Sequence, residues 1–203
     1  YIIEIHRKLL YPSHYLKMKD TDLNQIIKNN LTALQNVDVN SVERIALEIL
    51  ALKNNGGTLY LAGNGGSSST ASHFVNDLTK ATSKETSRSN IKVTCLSDNV
   101  ALITAISNDI SYDEIFRSQI DGNITDKDLL IVISASGNSE NLVKAVDYCK
   151  SNGVKTIGFL GFDGGILLKK VDDYLLVKSN IGEYGLVENI HLTVCHLISE
   201  FLS

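Results

Sequence analysis

The sequence lacks most of what would mark a secreted, membrane-bound or nucleic-acid-binding chain. Its 203 residues include one proline, Pro12, and three cysteines, Cys95, Cys149 and Cys195. An odd number of widely spaced cysteines makes no disulfide framework and reads as reduced core residues of a cytosolic protein. No apolar run approaches the roughly 18 residues that span a bilayer. Glu4, His6, Arg7 and Lys8 interrupt the first ten residues, leaving no apolar core for a signal peptide. The net charge is −4 and no long basic run is present, so neither nucleic acid nor a membrane is expected as a partner. Hydrophobic residues at 43% and charged residues at 21% are ordinary globular values, and the length suits a single domain with a sizeable core.

Two short serine-and-glycine stretches stand out against this background. One is Gly63-Asn64-Gly65-Gly66-Ser67-Ser68-Ser69 and the other is Ser134-Ala135-Ser136-Gly137-Asn138-Ser139. Each follows an apolar, strand-like run and opens a helix-like segment. Such a junction aims backbone N–H groups and the positive end of a helix at one spot, where an anion can sit. Glycine lets the backbone come close and serine adds donors. Two such loops in one domain point to a small phosphorylated ligand held at several places.

The rest of the chain supports that placement. Residues 1–19 show no clear pattern and carry Pro12 beside Tyr11, His14 and Tyr15. Apolar residues at helical spacing predict amphipathic helices at 20–35 and 39–53, the second capped by Asn40 or Ser41. From Gly57 the pattern alternates. Strands are expected at 58–62, 91–96, 129–134, 155–160 and 173–177. Helices are expected at 68–81, 100–107, 113–120, 140–151, 165–170 and 183–202. The run Leu129–Ile133 is continuously apolar, as in a parallel strand covered on both faces. The reading is a doubly wound α/β/α sandwich on about five parallel strands, with a helical segment over 1–56 and an α/β core over 57–203. Ligands of such folds bind beyond the carboxyl ends of the strands, where both serine loops lie.

The ionisable residues gather near those ends. His73 and Asp77 share a face of the helix opened by the first loop. Glu188, His191 and His196 lie on the last helix, and Asp98 and Asn99 follow the second strand. A carboxylate and a histidine beside phosphate loops suit proton transfer on a phosphosugar. His191, among Ile190, Leu192 and Val194, reads as structural or as a support behind a site residue. Glu188 and His196 are eight residues apart, so about 12 Å along one helix. A neighbouring subunit that supplies one of them would bring both to one centre, which predicts an active site at an interface of a homo-oligomer.

In their order, these stretches resemble a sugar isomerase (SIS) domain of the phosphoheptose isomerase type. The similarity runs from about Asp20 to the C-terminus. It rests on both serine loops, Ser72-His73-Phe74, Asp98-Asn99-Val100, Asn108-Asp109, Gly161-Phe162-Asp163-Gly164-Gly165, Glu188-Asn189-Ile190-His191 and His196. The resemblance implies a flavodoxin-like fold, a homotetramer with sites at subunit interfaces, and interconversion of sedoheptulose 7-phosphate and D-glycero-D-manno-heptose 7-phosphate through an enediol(ate), a step toward heptose in surface polysaccharides. It places phosphate on Ser134, Ser136 and Ser139, and the sugar on Asn64, Gly65, Ser67, Asp98, Asn99 and Glu188. By the same resemblance, Asp77 and His196 move the proton. One zinc per active site would be held by His73, Asp77, Glu188 and His196. Isomerases of this type usually carry glutamate where Asp77 stands and glutamine where Glu188 stands. SIS domains also serve as non-catalytic phosphosugar-binding regulators or assembly factors, so a binding module is the competing expectation. A dinucleotide-binding protein fits poorly, since the first loop has Ser68 where a third glycine would stand.

Overall fold

The computed structural model describes residues 22–81 and 91–203. Pro12 and its aromatic neighbours lie outside the described residues. Two helices lead, α1 (Leu23–Gln35) and α2 (Val39–Asn55), followed by β1 (Thr58–Gly63), α3 (Gly66–Ala81), β2 (Lys92–Cys95) and α4 (Val100–Asp109). A 3-10 turn (Tyr112–Glu114), α5 (Arg117–Ile120), β3 (Leu129–Ser134), α6 (Glu140–Ser151) and β4 (Lys155–Phe162) come next. A second 3-10 turn (Leu167–Lys169), β5 (Asp173–Lys178) and α7 (Tyr184–Phe201) complete the chain.

The five strands form one parallel sheet in the order β2-β1-β3-β4-β5. This is the flavodoxin-like doubly wound arrangement, whose order reverses between β1 and β3. Alternate residues of β1 and β3 feed two cores. Leu59, Leu61, Leu129, Ile131 and Ile133 pack under α2, α3 and α7 with Ile45, Ile49, Phe74, Leu78, Val194 and Ile198. Ala62, Leu130 and Val132 face the other layer, where Phe116, Leu142, Val146 and Leu167 pack. Both faces of β3 are therefore buried, which accounts for its unbroken apolar sequence.

Local chemistry adjusts several expected elements. Asp38, rather than Asn40 or Ser41, caps α2: its carboxylate accepts from the Asn40 amide at 3.1 Å and from the Ser41 hydroxyl at 2.6 Å. The helix expected at 165–170 is only the turn Leu167–Lys169, because Gly164 (φ +85°) and Gly165 (φ +55°) hold left-handed backbone that a right-handed helix excludes. The helix expected at 113–120 divides into the 3-10 turn and α5. Ile115, Phe116 and Ile120 are nonetheless all buried.

Carboxylates fasten the amino edge of the sheet. Asp128 accepts from the amides of Thr58 at 2.6 Å and Thr125 at 2.7 Å. Asp172 accepts from the amide and hydroxyl of Thr156 at 2.9 and 2.8 Å. Burial opposes ionisation of Asp172, but the bonds from Thr156 and Lys150 prevail and hold its carboxyl below the usual range. Arg44 on α2 forks onto Asp173 at 2.6 and 2.7 Å.

At the carboxyl edge, the exit of β4 braces the loop after β3. The Leu167 amide donates to the Gly137 carbonyl at 2.9 Å, and the Ile166 amide donates to Asn138 Oδ1 at 2.9 Å. Gly137 has φ +64°, and a Cβ there would fall on the Gly164 carbonyl. Gly161 lies equally close to α7, since a Cβ would come within 2.5 Å of the Val187 side chain. His191 is wholly buried, with its Nε2 3.1 Å from the Leu160 carbonyl. Burial pushes its imidazole down to about 4.

Two consequences are measurable. A histidine titrating near 4 when folded and near 6.5 when unfolded favours folding fully above pH 6.5, and that contribution is lost as pH falls toward 4. His191→Gln should flatten this acid limb of the stability curve, by about 3 kcal/mol across the window, in urea unfolding from pH 7 to 4. Gly137→Ala should lower unfolding free energy by ~1–3 kcal/mol, because backbone rather than a flexible side chain must give way. The same urea titration measures it.

Candidate active site

The strand order decides where the two serine loops meet. They follow β1 and β3, the adjacent strands on either side of the reversal, so both open onto one crevice.

In the second loop, Ser134 is buried and its Oγ accepts from the Gly137 amide at 3.0 Å. Ser136 Oγ accepts from the Asn138 amide at 3.3 Å. Ser139 occupies the N-cap position of α6, but its side chain makes no capping bond. The Leu142 amide of α6 already donates to the Ser139 carbonyl at 3.1 Å, but the Glu140 and Asn141 amides precede the first intrahelical bonds, so this end of α6 offers those two donors and the positive end of its dipole.

The first loop is different. Gly66 opens α3, and a Cβ added there would come within 2.5 Å of the Glu188 carboxylate. The Glu188 side chain thus packs against the start of α3, and the opening of this loop is filled by the chain itself. Gly65 is exposed at φ +54°, Ser67 is buried, and Ser68 Oγ donates to the Gly65 carbonyl at 2.7 Å. Asn64 is held by two other side chains: it exchanges hydrogen bonds with Asn141 at 2.9 and 3.0 Å and accepts from the Tyr112 hydroxyl at 2.9 Å.

A third feature stands where α3 packs along α7. His73 and Asp77, one helical turn apart, face His196. The His73 and His196 Nε2 atoms are 2.9 Å apart. Asp77 Oδ2 lies 3.2 Å from His73 Nε2 and 3.6 Å from His196 Nε2. The rings meet edge to face at 64°. Two Nε2 atoms this close need either one proton between them or one cation facing both lone pairs. The three ligand atoms lie within 4.8 Å of one another, and two imidazole nitrogens with a carboxylate oxygen form a donor set that suits zinc. Asp77, a methylene shorter than glutamate, still closes this triangle. Glu188 lies two turns before His196 and is not part of it among the described residues.

A shallow depression of about 540 Å³ adjoins the triangle, lined by Ser68, Ser69, Ser72, His73, Asn76 and Asp98. Asp98 is exposed there. Asn99 caps α4 by accepting from the Leu102 amide at 3.1 Å, so its side-chain oxygen already has one partner. His191 takes no part in the site.

Sequence reasoning passed over Asn141 and Tyr112. Asn141 had a signal: it is a polar residue in the buried row of α6 that also holds Leu142, Val143, Ala145, Val146 and Cys149. A polar side chain on such a face needs a specific partner. Tyr112 is half-exposed, and its position alone shows nothing of its bond to Asn64.

Known proteins share this architecture. The family model of the SIS domain matches residues 24–161. A phosphoheptose isomerase of Aliarcobacter butzleri is 37% identical over 79% of this chain and 83% of its own length. One of Helicobacter pylori is 34% identical over 87% of this chain and 88% of its own. The solved structure of a phosphoheptose isomerase from Francisella tularensis has a TM-score of 0.80 at 28% identity, covering 89% of this chain and 95% of that one. With matches of this extent, the chain belongs to the phosphoheptose isomerase family of SIS-domain proteins.

Proposed function

We propose that this protein is an aldose–ketose isomerase that interconverts sedoheptulose 7-phosphate and D-glycero-D-manno-heptose 7-phosphate through an enediol(ate). The observation that carries the reading is the convergence of His73, Asp77 and His196 at the edge of a crevice whose second loop keeps free donors for an anion.

The phosphate binds at Ser134, Ser136 and Ser139 and the amino end of α6. This loop is the better cradle because Glu188 already lies against the amino end of α3. The sugar then runs toward Asn64, Gly65, Ser67, Asp98 and Asn99, with its reacting carbons near Asp77 and His196. One of this pair takes the proton from carbon 1 of the ketose. The enediolate keeps those electrons until a proton is returned to carbon 2, while the hydroxyl proton moves from oxygen 1 to oxygen 2. Proton transfer by a positioned side chain of this kind contributes about 100- to 10,000-fold in rate. His73, Asp77 and His196 would hold zinc, with Glu188 of the same or a neighbouring chain as a fourth ligand. Bound there, the ion supplies a Lewis acid that favours the enediolate.

The protein works as a cytoplasmic homotetramer in this reading. Its three cysteines are free thiols, and no helix among the described residues is long and apolar enough to cross a membrane. Helix α1 has no buried residue, yet Leu23, Ile26, Ile27, Leu31 and Leu34 are all exposed apolar side chains. An apolar face of this kind suits another copy of the chain. The Ile27→Glu, Leu31→Glu double variant should yield a smaller species than the wild-type tetramer by light scattering. A wild-type monomer that turns over sedoheptulose 7-phosphate would remove the assembly reading.

The activity is tested by NMR in D2O with sedoheptulose 7-phosphate, with added zinc and with chelator. Aldose should form with deuterium at carbon 2. Asp77→Ala and His196→Ala should each lower kcat by about 100-fold or more while the circular dichroism spectrum stays unchanged. Ligand binding without product or exchange would instead favour a regulatory module.

A further inference from the structure

The crevice has a fastening of its own. Adjacent strands β1 and β3 send α3 and α6 to opposite faces of the sheet, so the loops that start these helices diverge. One reciprocal carboxamide pair bridges them. Asn64 Nδ2 donates to Asn141 Oδ1 at 2.9 Å, and Asn141 Nδ2 donates back to Asn64 Oδ1 at 3.0 Å. Asn141 is 1% exposed, so its carboxamide has little access to water.

Tyr112 completes the arrangement from a third element. Its hydroxyl donates to the same Asn64 Oδ1 at 2.9 Å. The turn that carries it is tied separately to α6, one helical turn beyond Asn141, where Lys144 Nζ meets Glu114 Oε1 at 2.8 Å. This pairing, Lys144 first, holds the Glu114 carboxyl below the usual range. Tyr112 is thus presented to Asn64 by an anchor that does not involve Asn64.

A carboxamide has two acceptor lone pairs and two N–H donors. Both lone pairs of Asn64 are used, by Asn141 and Tyr112. One of its two N–H groups is used by Asn141. What remains is a single N–H, and a ligand in the crevice meets Asn64 as a donor only. A fixed donor gains most when the oxygen it faces acquires negative charge during reaction.

We propose that Asn141 and Tyr112 are positioning residues that fix the Asn64 carboxamide so that its one free N–H donates to the sugar oxygen on which charge develops in the enediolate. The proposal rests on the isomerase reading for its kinetics, but its geometry concerns ligand binding alone. Tyr112→Phe is the useful variant, because the residue is 53% exposed and losing its hydroxyl leaves the fold intact.

Two measurements test it together. In ¹H–¹⁵N spectra, sedoheptulose 7-phosphate should shift one of the two Asn64 side-chain amide protons far more than the other, and Tyr112→Phe should abolish that selectivity. In turnover, Tyr112→Phe should lower kcat about fivefold, the worth of one neutral hydrogen bond, with KM within about twofold. In an Asn64→Ala background the same substitution should change neither constant, since its route of action is gone. Equal shifts of both protons, or an undiminished Tyr112→Phe effect in the Asn64→Ala background, would overturn the proposal. A wild-type protein whose Asn64 proton shifts selectively but which forms no aldose would uphold the positioning and overturn the isomerase reading.

Discussion

Everything at the site follows from one topological constraint: β1 and β3 are neighbours in the sheet, but the helices that leave them cover opposite faces. Parallel strands joined by right-handed crossovers leave a gap at such a reversal. The backbone turns sharply out of both strands there, and the amino ends of two helices point into the same space. Because α3 shares its face with α7, His73 and Asp77 meet His196 along the side of the gap.

The two loops that flank the gap look alike in composition and differ in what lies against them. At the start of α3, the Glu188 side chain packs on Gly66 from within the chain. At the start of α6, the capping position is held by Ser139, whose side chain leaves the helix amides uncapped. One end is therefore filled and the other open. In the proposed reading, that difference turns the phosphate of a sugar toward α6 and leaves its other end for the side where His73, Asp77 and His196 converge.

Periodicity made much of this legible. The unbroken apolar run of β3, the serine loops after β1 and β3, and the four-residue spacing of His73 and Asp77 are local features, and local features are what one sequence displays. The misses were of two kinds. Some involved backbone conformation that spacing does not carry: Gly164 and Gly165 shorten the element at 165–170, and Asp38 captures the cap ahead of Asn40 and Ser41. Others involved partners far apart in the chain. Asn64 and Asn141 are 77 residues apart, and Arg44 and Asp173 are 129 apart. The position of Glu188 belongs with these, since helical spacing fixes its distance from His196 but not the glycine it leans on.

The two edges of the sheet are held by different chemistry. At the amino edge the fastenings are carboxylates: Asp128 and Asp172 seat strand amides, and Arg44 grips Asp173. At the carboxyl edge the bonds that join the loops are carboxamides, backbone amides and glycine contacts, with one ion pair, Lys144–Glu114, behind them. The molecule thus divides its labour along the strand direction. A substitution in the crevice that keeps the Asn64–Asn141 pair therefore leaves the carboxylate clasps at the far end untouched, and with them the register of the strands.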